Sequence, residues 1–350
     1  MNVPRMNLDI SNDLPYDVRT ARFIEFFEAY LADSLSNLDK EIKAHALDAA
    51  LSGGKRIRPL LVYHFAGHGL VSQEFTLKAS VILEIVHLAT LIHDDILDGA
   101  EIRRNLPAMH EKIGPHAAIL LGDALFGFAL ELASQFPTTR ICATVAEATR
   151  KTCSGEIRQT FARGSSSVSL DEYVGFINDK TGELFRASCE IGAYLAGADD
   201  LTIQKAGQFG LSLGINYQVF DDLIDMFENP ENSDKSLGSD WETGKMTLPY
   251  ILLRESVKGN EMDQLDNFIG GNDLDFSPEE YRHRLYLLFD KHNILPACVS
   301  YLENSYRHTN SLLNEFTTFS LKQDLRALLN RFSDKFAKLP NLKVSNFLAV

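Results

Sequence analysis

Apolar residues recur at three- and four-residue spacing along nearly all of this 350-residue chain, and a chain with that period buries its hydrophobic side by winding into helices. Alternating β-branched runs bounded by turns, the mark of half-buried strands, are scarce. The pattern therefore predicts an all-α fold. Helix-stopping clusters divide it at Gly53-Gly54, Gly67 to Gly69, Pro107, Gly164 to Ser167, Asn229-Pro230 and Gly270 to Asn272. None of these is long enough for an interdomain linker, so residues 1–350 read as a single domain built as a bundle of long helices.

Two segments, about Thr76 to Asp98 and Ile203 to Phe227, are apolar nearly all round, which predicts helices enclosed on every side and a central pair for the bundle. Each ends in the same pattern, Asp94-Asp95-Ile96-Leu97-Asp98 in one and Asp221-Asp222-Leu223-Ile224-Asp225 in the other. Positions i, i+3 and i+4 share a helix face, so each cluster stacks its carboxylates within one turn. Such like charges at the end of a buried helix need a cation. Hard oxygen donors select Mg²⁺, which keeps several waters and commonly bridges to substrate phosphates.

The formal net charge of -14 excludes non-specific attraction to nucleic acid or anionic lipid, both polyanions. A chain this acidic must handle phosphate with local basic groups. Lys55 and Arg58 sit around a helix start in Gly53-Gly54-Lys55-Arg56-Ile57-Arg58-Pro59, where free backbone N–H groups and the helix dipole also favour anions. Arg103 and Arg104 follow the first aspartate cluster, and their planar guanidinium forks suit phosphate oxygens. Cys142, Cys153, Cys189 and Cys298 lie far apart without CxxC spacing, which suggests a reduced, intracellular chain. The start of the chain lacks a basic, apolar leader, and the apolar stretch Ala79–Ile92 is interrupted by Glu84 and His87, too short for the roughly 18 residues of a membrane span. A cytoplasmic location with no membrane span is the expectation.

Taken in order, Gly-Gly-Lys-Arg-Ile-Arg-Pro, the first DDxxD followed by Arg103-Arg104, Lys180-Thr181, Gln218 to Asp222 and Gly244 to Pro249 resemble the polyprenyl (trans-isoprenyl diphosphate) synthase family over roughly residues 50 to 250. The resemblance implies an isoprenoid-synthase bundle around a central apolar cavity, a homodimer, and condensation of isopentenyl diphosphate with an allylic diphosphate. It implies that Lys55, Arg58, His87 and Arg104 bind isopentenyl diphosphate, and that Arg103, Lys180, Gln218 and Lys245 contact the allylic diphosphate with Thr181 positioning the leaving group. It also makes Asp94, Asp98 and Asp221 the main Mg²⁺ ligands, supported by Asp95, Asp222 and Asp225, so that Asp94, Asp98, Asp221, Lys180 and Lys245 carry the catalysis.

The sequence departs from the family pattern where Asn105-Leu106-Pro107-Ala108 replaces the usual glycine and Pro-Thr, although asparagine tolerates a left-handed backbone. No C-terminal basic residue is recognisable as closing the site. Ala89 and Thr90, five and four positions before Asp94, would lie some ~6 to 8 Å deeper along the helix. Short-chain relatives usually carry a bulky aromatic there, so small residues imply a medium- or long-chain product, with Phe126 as a lower floor; a geranylgeranyl or farnesyl product is the alternative. A terpene cyclase would not need Lys55, Arg58 and Arg104, and a non-catalytic partner subunit would be expected to lose aspartates that this chain keeps.

Overall fold

The computed structural model describes residues 14–67, 73–227, 243–269, 278–337 and 339. The breaks read at 229–230 and 270–272, and most of that at 67–69, lie outside these residues. The described chain is helical almost throughout. In order it forms α1 (Tyr16–Leu35), α2 (Lys40–Leu51), α3 (Ile57–Ala66), α4 (Gln73–Leu97), α5 (Met109–Ile113), α6 (Pro115–Ser134), α7 (Thr139–Phe161) and α8 (Leu170–Ile177). A π-helical turn, Asn178–Gly182, then leads into α9 (Glu183–Leu195) and α10 (Asp200–Phe227). The remaining helices are α11 (Leu248–Ser256), α12 (Asn260–Ile269), α13 (Pro278–Lys291), α14 (Ile294–Leu312) and α15 (Phe319–Phe336).

Local chemistry sets the boundaries. Ser169 and Glu172 form a reciprocal capping box at the start of α8, satisfying two otherwise orphaned backbone donors. On α1 the buried residues Phe23, Phe27, Tyr30, Leu31 and Leu35 follow helical spacing. Each large apolar side chain so buried contributes about 1.5–3 kcal/mol.

Among the described residues the β-structure is a two-strand ribbon, β1 (Ile102–Arg103) against β2 (Leu106–Pro107). Its connecting residues Arg104 and Asn105 have φ of 52° and 61°. A two-residue hairpin whose residues both have positive φ follows the strand twist, so asparagine does here what the missing glycine would have done.

Helix α4 packs on α6 and α3, α3 packs on α9, and α9 packs on α10. The expected central pair is thereby corrected. Helices α4 and α10 are apolar all round because each has several helical neighbours, but α3 and α9 stand between them, leaving their aspartate ends on facing walls. Helices α4 and α6 are both long and apolar enough to cross a membrane by length and composition. The apolar window of α4 is 78% buried within the protein, that of α6 only 44%. Arg19 of α1 forms a buried fork with Asp324 of α15, donating from Nη1 at 3.1 Å and Nη2 at 2.5 Å, which ties α1 to α15.

Candidate active site

The facing walls enclose a cavity of about 1050 Å³. Helix α4 contributes His87, Thr90, Leu91, Asp94 and Leu97, one stripe at three- and four-residue spacing. Helix α10 answers with Gln218, Asp221, Ile224 and Asp225, and α7 with Thr152, Cys153, Glu156 and Ile157. Ala89 does not reach this wall. It is fully buried in the apolar core, because a residue five positions from Asp94 lies about 140° away from it around the helix at 3.6 residues per turn. Thr90 and Phe126 do line the cavity.

In the first cluster the three carboxylates have separate surroundings. Burial pushes the Asp94 carboxyl up to about 6 against the pull of Lys180, with Glu156 and Asp98 adding to the rise. Asp95, 3% exposed, accepts from Arg103 Nε at 2.5 and 2.7 Å; burial still raises its carboxyl against that guanidinium. Asp98 accepts from Lys245 Nζ at 2.7 Å and from Arg163 at 2.8 Å. Burial opposes its ionisation, but Lys245, Lys180 and Arg163 outweigh that and hold its carboxyl below the usual range.

In the second cluster Asp221 and Asp225 line the cavity, whereas Asp222 is buried. Tyr173 Oη donates to one Asp222 oxygen at 2.6 Å and Gln218 Nε2 to the other at 2.7 Å. Thr181 in turn donates to Gln218 Oε1 at 2.7 Å, so one hydrogen-bonded chain runs from the π-turn to α10. The π-turn carries Lys180 into the cavity beside Asp94, 3.9 Å from its Oδ2, and against Glu156. Burial opposes the Lys180 charge, but Asp94, Glu156 and Asp98 raise its pKa above the usual lysine value. This geometry needs close backbone approach: a Cβ on Gly155 would stand 2.5 Å from Lys180 N, and one on Gly214 would stand 2.8 Å from Gly182 Cα.

The basic groups gather at another part of the wall. Lys55 donates to Tyr217 Oη at 2.9 Å and lies over its ring, and Arg58 lies over the Phe185 ring at 4.8 Å. Burial lowers the pKa of both Arg58 and Arg104. Gly54 has φ 150°, and a Cβ there would meet the Arg104 guanidinium at 3.0 Å, so glycine lets that guanidinium lie against the loop before α3. Burial, reinforced by Arg58, Arg104 and Arg103, holds His87 well below the usual imidazole value. It is neutral at neutral pH and can donate an N–H without adding charge.

Sequence reasoning missed four groups. Glu156, Gln159 and Arg163 on and just beyond α7 surround Lys180 and Asp98, and no periodicity distinguishes them from other polar residues of that helix. Lys335 of α15 lines the cavity, which corrects the expectation that the C-terminal region brings no basic residue to the site. Its distance in sequence from every motif hid it.

Among the described residues no three His, Cys, Asp or Glu side chains converge closely enough to hold a metal alone. The donor set nevertheless fits Mg²⁺, which takes few protein ligands and completes its shell with water and phosphate oxygens. The partly buried Asp94 carboxyl, raised mainly by desolvation with Glu156 and Asp98 adding to the rise, is a hard oxygen donor that a cation would stabilise.

Residues 40–281 match the polyprenyl synthetase family model. The chain is 33% identical over 243 residues to heptaprenyl diphosphate synthase component 2 of Geobacillus stearothermophilus, covering 66% of this chain and 76% of that one. It is 37% identical over 220 residues to a geranylgeranyl diphosphate synthase of Methanosarcina mazei, covering 61% and 66%. Its fold superposes with a TM-score of 0.81 at 28% identity on a polyprenyl synthase from Caulobacter crescentus solved with calcium and isoprenyl diphosphate, covering 91% of this chain and 96% of that one. With this family match extending over both aspartate clusters and every cavity-lining residue except Lys335, the chain belongs to the polyprenyl synthetase family and is a prenyltransferase.

Proposed function

We propose that the enzyme condenses isopentenyl diphosphate with an allylic diphosphate, uses Mg²⁺, works as a homodimer, and releases a medium- or long-chain linear polyprenyl diphosphate. The observation that carries this reading is the cavity itself. Two aspartate ends face each other across it, a separate basic group of Lys55, Arg58, His87 and Arg104 stands apart from them, and apolar side chains line the wall. Two anions can therefore be held at once. A cyclase that ionises a single diphosphate has no use for the second group.

Asp94, Asp98, Asp221 and Asp225 would hold Mg²⁺, with Asp95 and Asp222 oriented behind them by Arg103, Tyr173 and Gln218. When bound, the metal supplies Lewis-acid stabilisation of the departing diphosphate. The chain's own part is to keep Lys180, Lys245 and Arg103 fixed near that negative charge, so no reorganisation is needed as it develops. Thr181 and Gln218 orient the leaving group through their shared hydrogen bond. Leu91, Phe220 and Ile224 keep water from the allylic cation. Isopentenyl diphosphate, held by Lys55, Arg58, Arg104 and the neutral His87, presents its double bond to that cation. A new carbon–carbon bond forms, and the proton lost from the adjacent carbon passes to the released diphosphate.

Small side chains near the first cluster, with Thr90 at the wall, favour the longer products. The test is product analysis with labelled isopentenyl diphosphate, magnesium and farnesyl diphosphate. Elongation to thirty carbons or more is the expected result; elongation that stops at fifteen or twenty refutes the chain-length reading, and no elongation refutes the proposed reaction for this chain alone.

A further inference from the structure

Asp98 is bridged by cations from two different segments. Arg163, just beyond α7, donates from Nη2 to one oxygen at 2.8 Å, and Lys245, before α11, donates to the other at 2.7 Å. Arg163 also donates from Nη1 to the carbonyl of Leu97, the last residue of α4, at 3.1 Å. Its Nη2 lies 3.7 Å from Glu156, and its Nε is buried without a partner. The two segments are joined behind the side chains by Gly164 N–H donating to Gly244 O at 2.9 Å. That approach requires glycine at 244, where φ is 66° and a Cβ would stand 3.0 Å from Gly164 N.

We propose that Arg163 is a positioning residue for the diphosphate site, an inference that rests on the prenyltransferase reading above. It holds Asp98, and the Gly164–Gly244 link keeps Lys245 on the same carboxylate. One positive charge then acts in two opposed ways. It competes with a divalent cation for Asp98, and it adds to the field that attracts a diphosphate once the cation is bound. Arginine suits this double duty because its guanidinium can keep the Leu97 carbonyl while another N–H changes partner.

The opposition in sign separates this role from plain structural support. Arg163→Met removes the charge and keeps most of the packing, and Arg163→Lys restores the charge without the fork. Binding of magnesium alone, and of inorganic diphosphate at saturating magnesium, would be measured by calorimetry for each variant. In Arg163→Met, magnesium alone is expected to bind several-fold tighter and diphosphate about tenfold weaker, the scale of one charge-assisted contact; Arg163→Lys should recover most of both shifts. If both affinities fall together, or neither changes, the proposal is wrong. Arg163→Gln supplies the same comparison should Arg163→Met not fold. Loss of elongation activity in the wild type with the opposed binding shifts intact would overturn the proposed reaction and leave the role of Arg163 standing.

Discussion

Thr90 and Ala89 are neighbours in sequence with opposite fates. Thr90 lines the cavity, while Ala89 is fully exposed to packing and not at all to solvent. A phenylalanine should therefore act differently at each. Thr90→Phe is expected to narrow the cavity and shorten the main product by at least one isoprene unit, with stability nearly unchanged. Ala89→Phe should instead overpack the core at a cost of about 1–3 kcal/mol, lowering the melting temperature, and should leave the product of the folded fraction as it is. Product mass spectra and thermal melts of the two variants decide the matter. The reverse assignment would mean that the growing chain descends along the Ala89 side of α4.

At the scale of elements, the site depends on how closely α7, the π-turn and α10 approach one another. The π-turn inserts an extra residue into the helical path, a feature that often marks functional positions, and here it carries Lys180 and Thr181. Gly155 makes room for it, since a Cβ there would press on Lys180 N at 2.5 Å and on Asp179 Cβ at 2.9 Å. Gly155→Ala should separate α7 from the turn, destabilise the protein by about 1–3 kcal/mol, and lower kcat by shifting Lys180. Gly175→Ala is the control: it lies in α8 with nothing within 4 Å of its Cβ position, and should be neutral or stabilising by up to about 1 kcal/mol. Melting curves and kcat for the pair test the argument; equal behaviour would show that the close approach is not needed.

For the whole molecule, large apolar side chains among the described residues are left exposed on several elements, and α6 and its neighbour α7 carry five of them. Leu120 is 67% exposed and Phe161 85%, with Ile119, Leu130 and Ile157 also exposed. Ile157 belongs at once to this surface and to the cavity wall, so a second copy seated here would also screen the apolar wall from water. Exposed apolar patches of this kind mark association surfaces, which is the physical support for the proposed homodimer. Leu120→Asp, which places a charge on this surface, is expected to halve the mass in sedimentation equilibrium while the monomer keeps its helical content. A wild type that sediments as a monomer would remove the homodimer from the reading.

The apolar period by itself determined that the chain is helical, because only a helix brings positions three and four apart onto one side. The same local geometry made both aspartate clusters legible, and the order of the motifs identified the family. Tertiary structure decided what local spacing cannot express. It placed α3 and α9 between the two aspartate-bearing helices, turned Ala89 into the core and Thr90 toward the cavity, and brought Glu156, Arg163 and Lys335 to a site whose motifs lie elsewhere in the chain. The reason is physical: the i to i+4 relation is fixed by the backbone, whereas the partner of a buried charge is fixed by which helices pack together.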